Sequence, residues 1–474
     1  MRAVRWCRGH PDLVAFLGFL VLVFAAKAPV LGIPYYWDEA GWVGAAHWLA
    51  GRNLLRAIPG LRPPDIFWGH PPGLHVLLAL LFKLFGESQV VTHLLAVSFA
   101  FIGLYFTYRL GSLLYDRGTG AFAALALFLS PVYFAQSAMF LADVPVAALG
   151  VATIYFALRN AYIPYLLSAT GLVLAKETGA AIVVAYLLFC LVTHRRDPRQ
   201  AVHELTRYGL PLLVIGGFVA WQKLVTGEFF FILGGMPFDF VETGWSVWWS
   251  KLCLITRWLF WDQLRSIISA LIVLGLVLAP GWRRRPELLL VAIIVLVSCY
   301  PFVAIFLLRR YLMPALPFLY LLGMGALSAL LQSWRWRVGA ASAFVALSMV
   351  SVSDLRLAGN GEWTMSYLTV VRTAQAMYGY LHEHHPNARV LAAWPDTVNL
   401  TRPYIGYVKS PVATLWFRGE PGSGEFDVVL VSSPSASAGE GLKAYAARLE
   451  ASGALRLVKR FETDGITSEL YTKP

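Results

Sequence analysis

Residues 162–193 read YIPYLLSATGLVLAKETGAAIVVAYLLFCLVT, and whether they form one helix or two decides how the whole chain is threaded. As one helix these 32 residues would extend roughly 48 Å at about 1.5 Å per residue, far beyond a hydrocarbon core of about 30 Å. The polar tetrad Lys176-Glu177-Thr178-Gly179 lies at the centre and divides the run. Two short helices that meet at the tetrad are therefore expected.

The reading extends outward in both directions. Apolar runs near 12–31, 90–110, 119–138, 145–160, 162–177, 179–193, 208–225, 264–280, 287–307, 312–331 and 338–353 give about eleven spans. With the N-terminus inside, Arg109/Arg117, Arg159, Arg195/Arg196/Arg199, Arg283/Arg284/Arg285 and Arg335/Arg337 all fall on the cytoplasmic side, as the positive-inside rule demands. Merging 162–193 into one span would throw every later cluster to the other side. The run from Leu13 to Leu31 follows Arg2, Arg5 and Arg8 and reads as an uncleaved first span, because Pro29 would sit badly just after a cut at Ala28.

Composition agrees with this threading. Hydrophobic residues make up 58% of the 474 and charged residues 14%, where soluble domains run near a quarter charged. The net charge of +12 lies entirely in residues 1–353, which hold 27 Lys/Arg against 15 Asp/Glu, whereas residues 354–474 hold 12 of each. The excess therefore reads as membrane topology and not as a nucleic-acid footprint. Cys7, Cys190, Cys253 and Cys299 are scattered and suggest no disulfide framework.

The fold expected is mainly α: a polytopic helical membrane domain over 1–353 and a small soluble α/β extracytoplasmic domain over 354–474. The long loop 32–89 is rich in Trp and Pro and contains amphipathic stretches at Glu39–Leu49 and Pro72–Phe85, expected as interfacial helices. Loop 226–263 carries Trp245, Trp248, Trp249, Trp258 and Trp261, for which an interfacial belt is the plain explanation. In the C-terminal part, helices are expected at Ser366–His384 and Gly439–Ala451, and strands at Arg389–Trp394, Phe426–Ser432, Leu455–Phe461 and Ile466–Thr472.

Charged residues at the outer ends of the spans are the candidates for chemistry. Tyr35-Tyr36-Trp37-Asp38-Glu39-Ala40 places two adjacent carboxylates just past the first span. Helix capping would account for such a pair in isolation. Asp143, however, interrupts an apolar run, and an ionisable group there costs roughly 2.5 to 3.5 kcal/mol at a helix centre, so it needs a partner or a role. Lys176, Arg309 and Arg310 fall on the same side; they either snorkel or hold a phosphate near the two acids. Asp38 and Asp143 could share a magnesium or manganese ion, and His70 with His75 offers a lesser case for zinc. No cofactor is fixed by the sequence.

Trp37-Asp38-Glu39-Ala40, His70-Pro71-Pro72-Gly73, Ala142-Asp143-Val144-Pro145, Lys176-Glu177-Thr178-Gly179 and Arg310-Tyr311-Leu312-Met313-Pro314 follow one another in order. In order and topology they resemble the GT-C glycosyltransferases, in particular the family of protein O-mannosyltransferases and lipid A aminoarabinose transferases, across residues 10–335. The resemblance implies transfer of a sugar from a polyprenyl-phosphate donor to an acceptor hydroxyl on a lipid, glycan or protein, at the outer face of the cytoplasmic (inner) membrane and with inversion. By the same resemblance Asp38 would be the general base, Glu39 would position the acceptor or the loop, and Asp143 would orient the donor sugar. Lys176 and Arg310, with Arg309, would bind the donor phosphate, while Tyr36, Trp37 and His70 would shape the loop or contact the acceptor. The competing reading is a transporter or flippase for a lipid-linked sugar. Such proteins use inverted repeats and charged or broken helices at mid-membrane.

Overall fold

The computed structural model describes residues 9–61, 70–229, 244–353, 361–419, 425–433 and 437–474. Arg2, Arg5, Cys7 and Arg8, the centre of loop 32–89 and the expected boundary at Asp354 lie outside the described residues.

Each expected apolar run contains a helix, but the lengths differ from those expected. Among the described residues, Pro11–Val30, Gln89–Leu114, Pro286–Val303 and Arg309–Leu330 are long and apolar enough to cross a membrane. Counting the bent pairs Pro198–Tyr208 with Leu210–Thr226 and Trp245–Phe260 with Arg265–Leu278 as single spans raises the number to six. Helix length meets the expected count of eleven only in part, since Arg117–Phe128, Asp143–Leu158 and Tyr162–Ala175 are apolar but shorter than this. In one case the cause is local. The run 119–138 stops at Phe128, and Pro131 starts a separate short helix, Pro131–Gln136, because a proline suits the first turn but not an interior.

The division of 162–193 is present. Helix Tyr162–Ala175 ends at an extended Lys176, a 3-10 turn spans Glu177–Gly179, and helix Ala180–Thr193 follows. Two of the helices start on side-chain caps, with Ser88 accepting from the Val91 N–H at 3.2 Å and Asp116 from the Thr119 N–H at 2.8 Å. Helices Gln89–Leu114 and Arg117–Phe128 cross where Gly111 meets Gly120. A Cβ on Gly111 would lie 2.5 Å from the Gly120 Cα, so the crossing depends on small residues. Leu167, Leu213, Leu224 and Val277 lie exposed on the outer sides of their helices, the surface a lipid environment would cover.

Helix Gln89–Leu114, about 39 Å long at 1.5 Å per residue, separates two polar ends. At its C-terminal end, Arg109, Arg117 and Arg159 surround an open cavity of about 500 Å³ with Asp12 and Asp116. Arg285 donates to the Leu114 carbonyl and Arg337 pairs with Asp116 at 3.4 Å. Five arginines from four separate clusters thus share one end, which agrees with the parity argument. Asp38, Asp143, Lys176 and Arg310 gather at the other.

The C-terminal part is a five-stranded mixed sheet in the order β2-β1-β3-β5-β4, formed by β1 (Val390–Ala392), β2 (Thr414–Trp416), β3 (Val428–Ser432), β4 (Arg456–Thr463) and β5 (Ile466–Thr472). Strand β1 pairs in parallel with β2 and β3, and β5 runs antiparallel between β3 and β4. Helices Tyr367–His384 and Ser437–Ala451 accompany it. Strand β2 and helix Asp396–Thr401 were not expected. Each is too short, at three and six residues, to display a period.

This part is docked on the loop 32–89 that follows the first long helix. The Tyr35 N–H donates to the Ile405 carbonyl at 3.0 Å, Gln89 Nε2 donates to the Tyr404 carbonyl at 3.2 Å, and the His47 ring stacks on Tyr404 at 4.3 Å.

Candidate active site

Asp38 stands at the start of helix Glu39–Ala50 yet makes no side-chain bond to that helix. Trp37 before it has φ 51°, a left-handed conformation uncommon for a bulky residue, and such strain is found at sites where neighbours fix the geometry. The first N–H groups of the helix are met by the backbone carbonyls of Tyr36, Trp37 and Asp38, and Glu39 Oε2 accepts from the Tyr36 N–H ahead of the helix at 3.1 Å. Asp38 is thereby free to face the interior, where its Oδ2 lies 2.5 Å from Nη2 of Arg310.

Arg310 comes from the 3-10 helix Arg309–Ala315 and is buried. Its Nε lies 3.0 Å from Asp143 Oδ2, and its Nη1 pairs with Glu362. Asp143 opens helix Asp143–Leu158, whose amino end favours a carboxylate. Lys176 Nζ donates to the other oxygen of Asp143 at 3.0 Å and sits 4.1 Å from the Tyr311 ring centroid. The break at 176–179 makes this possible, since it ends one helix at the depth where the next begins and leaves the lysine pointing inward.

The expected residues therefore divide into three groups. Asp38, Asp143, Lys176 and Arg310 form one connected cluster. Glu39 is fully buried behind it: its Oε1 accepts from the Phe140 N–H at 2.7 Å and lies 3.1 Å from His93 Nε2, while His93 Nδ1 lies 2.8 Å from the Leu31 carbonyl. Glu39 is thus fastened to three separate segments and holds the loop. Arg309 turns away from the cluster to Asp262, at 3.4 Å, and lies over the Trp258 and Trp363 rings at 5.2 Å each. Trp258 accordingly contacts a site-flanking arginine, which an interfacial belt does not explain.

Tyr36 packs on Tyr367, with ring centroids 5.5 Å apart. Its hydroxyl is held above its ordinary range by burial and then by Glu362 and Asp38. Trp37 meets Trp394 edge-on at 6.4 Å. His70 Nδ1 lies 2.8 Å from Glu177, and both His70 and His75 stack on Trp42. The two histidines are thus engaged with an aromatic ring and, for His70, a carboxylate. Among the described residues no three His, Cys, Asp or Glu side chains form a metal-binding group.

Sequence reasoning missed Glu362 and His93. Glu362 lies in Gly361-Glu362-Trp363, a short polar stretch with no periodicity. His93 did leave a signal, being an ionisable residue inside an apolar span. Burial pushes the Glu362 carboxyl up to about 7; Arg310 pulls it down, and Asp38 and Asp143 add to the rise. The cluster as a whole can hold an anion against two cations beside two or three carboxyl groups.

The comparisons with known proteins fall on this geometry. No curated protein matches the chain at a significant level. Over its full length the chain is similar to ArnT from Cupriavidus metallidurans in the apo state, with a TM-score of 0.59 and 15% identity, covering 99% of this chain and 98% of that one. The same protein bound to undecaprenyl phosphate gives 0.59 and 15%, with 98% of each chain covered. Residues 69–221, which include Asp143 and Lys176, match the model of the dolichyl-phosphate-mannose-protein mannosyltransferase family. The chain thus has the fold of ArnT over almost its whole length, with the sequence signature of the mannosyltransferase family carried by the segment that supplies half of the charged cluster.

Proposed function

We infer that this chain is a multi-pass membrane glycosyltransferase that moves a sugar from a polyprenyl-phosphate donor to an acceptor hydroxyl on a lipid, glycan or protein at the outer face of the cytoplasmic membrane. The observation that carries the reading is the single buried guanidinium of Arg310 joining Asp38 to Asp143, with Lys176 on the far side of Asp143.

Breaking a sugar–phosphate bond leaves negative charge on the phosphate, and Arg310 with Lys176 supplies fixed positive charge for it in a site largely closed to water. The attacking hydroxyl needs a base at the opposite face of the anomeric carbon, and Asp38 is the more exposed of the two aspartates. A single displacement of this kind inverts the anomeric configuration. Asp143, bound on both oxygens, orients the cations and the donor. The gathering of these groups at one end of a 26-residue helix supports surface chemistry over translocation, for which charged groups at mid-membrane would be needed. The likeness of fold to a protein whose structure holds undecaprenyl phosphate supports the donor class.

The test is turnover. Detergent-purified protein given radiolabelled polyprenyl-phosphate sugars and a membrane extract as acceptor source should release polyprenyl phosphate in step with labelled acceptor. Equal turnover by Asp38→Asn protein would remove Asp38 from the reaction.

A further inference from the structure

Each nitrogen of the Arg310 guanidinium has a carboxylate oxygen within ion-pair distance, although Nε makes no hydrogen bond. Nη2 faces Asp38, Nε faces Asp143 and Nη1 pairs with Glu362. With Lys176 included, two cations meet three carboxyl groups. A fully ionised site therefore carries excess negative charge before any donor arrives, and a phosphate would add more where like charges are poorly screened. One carboxyl group has to leave Arg310 or lose its charge.

Geometry distinguishes the three. Asp143 is held on its other oxygen by Lys176 and begins a buried helix. Asp38 begins a second helix, fixed by the Glu39 bonds to three segments. Glu362 lies in the turn ahead of helix Tyr367–His384, and among the described residues its carboxyl group pairs with Arg310 alone. Its backbone is anchored separately, since Gln136 Nε2 donates to the Glu362 carbonyl at 2.9 Å. The carboxyl group can therefore swing off the guanidinium about its own side-chain bonds while the chain stays in place.

Resting on the reading of Arg310 as a phosphate ligand, we propose that Glu362 occupies the donor-phosphate position on Arg310 in the empty site. The incoming phosphate displaces it, and its return helps to expel the polyprenyl phosphate left after transfer. A carboxylate and a phosphate present similar pairs of oxygens to a guanidinium, so one can replace the other on the same fork. No carbon–oxygen or phosphorus–oxygen bond is made or broken in the exchange; the one covalent change is a proton taken from solvent by the displaced carboxylate.

The exchange is linked to a proton. Burial already pushes the Glu362 carboxyl up to about 7, and leaving Arg310 removes its main stabilising partner, so the displaced group takes up a proton. The ionisable groups that face it are Tyr36 and Asp38 from the loop after the first span, Asp143 with Lys176 behind it, and Arg310. Above about pH 7 each phosphate bound should carry one proton with it. Affinity then falls as pH rises.

The experiment is calorimetric titration of the detergent-solubilised full chain with undecaprenyl phosphate between pH 7.0 and 8.5. The ligand stays dianionic across this range, since a phosphate monoester has its second pKa near about 6. Wild-type affinity should fall roughly tenfold across the range. Glu362→Gln should bind roughly tenfold more tightly than wild type at pH 8 and show almost no pH dependence. Comparing buffers of different ionisation enthalpy should reveal uptake of about one proton by the wild type and none by the variant.

Arg310→Ala separates the two levels of the argument. If it weakens binding while Glu362→Gln matches wild type in affinity and slope, the exchange is overturned and the phosphate role of Arg310 stands. If Arg310→Ala or the wild type shows no phosphate binding attributable to Arg310, both fall together. A flat wild-type pH profile is sufficient on its own to reject the exchange, even if Glu362→Gln fails to fold.

Discussion

The Asp38 carboxylate turns away from the helix it opens and lies 2.5 Å from Nη2 of Arg310, 272 residues further along the chain. The relationship separates two roles that a helix-start acid pair usually combines. Glu39 meets the loop's unsatisfied backbone donors, and Asp38 is left for the cavity. Replacing the two adjacent acids should therefore give different phenotypes.

Asp38→Asn keeps the side chain's shape and its contact with Arg310. Turnover should fall by roughly 10²- to 10⁴-fold while undecaprenyl phosphate binds at least as well as to wild type. Release of labelled polyprenyl phosphate, measured beside a binding titration, checks both halves.

Glu39→Ala should act on the fold. It orphans the N–H groups of Tyr36 and Phe140, each worth about 1 to 3 kcal/mol when buried without a partner, and strips His93 of its carboxylate. The thermal midpoint in detergent should drop by several degrees, whereas Asp38→Asn should leave it nearly unchanged. Equal midpoints for wild type and Glu39→Ala would contradict the anchoring role.

Asp396 gives a pH prediction independent of the catalytic cluster. Burial raises its carboxyl to about 6, while hydrogen bonds from Tyr378 and Ser432 restrain the rise. The folded state thus binds the proton more tightly than the unfolded chain. Its stabilising contribution is complete below the unfolded value of 3.8 and is lost as pH rises through about 6. Asp396→Asn should remove that loss, stabilising the protein by up to about 3 kcal/mol at pH 8 and by little at pH 4. Thermal midpoints of both proteins at these two pH values give the answer.

Topology is open to chemical labelling. In a background without native cysteines, Ser452→Cys should react with an impermeant maleimide in intact cells and Arg284→Cys should not. Both positions are exposed, so a missing reaction reports sidedness and not burial. Labelling of Arg284→Cys would reverse the assigned orientation.

Much of this arrangement was legible in the sequence because membrane insertion leaves strong marks. Apolar runs located the helices, and the charge pattern predicted a break at Lys176-Glu177-Thr178-Gly179 that the backbone makes. Lys176 and Asp143 drew attention as charges beside apolar runs, and they form an ion pair. Helix length was less legible, because hydropathy does not reveal that a span such as 119–138 stops at Phe128 and resumes at Pro131 as a short helix. Arg309 and Arg310 are adjacent and chemically alike, and only the 3-10 backbone decides that one enters the cluster and the other meets Asp262. Glu362 was illegible because its importance lies wholly in what it meets across the fold, while its neighbours mark an ordinary polar turn.

The hydrogen bond from the Tyr35 N–H to the Ile405 carbonyl has a consequence for biosynthesis. The segment that carries Asp38 is made among the first tenth of the chain, yet its backbone partner is added only when the ribosome nears the end. Glu362 and the Tyr404 carbonyl that receives Gln89 are also late arrivals. The loop after the first span therefore spends most of translation without the surfaces that shape it. Nascent chains stalled before residue 405 should present this loop to proteases outside the membrane, and full-length chains should protect it.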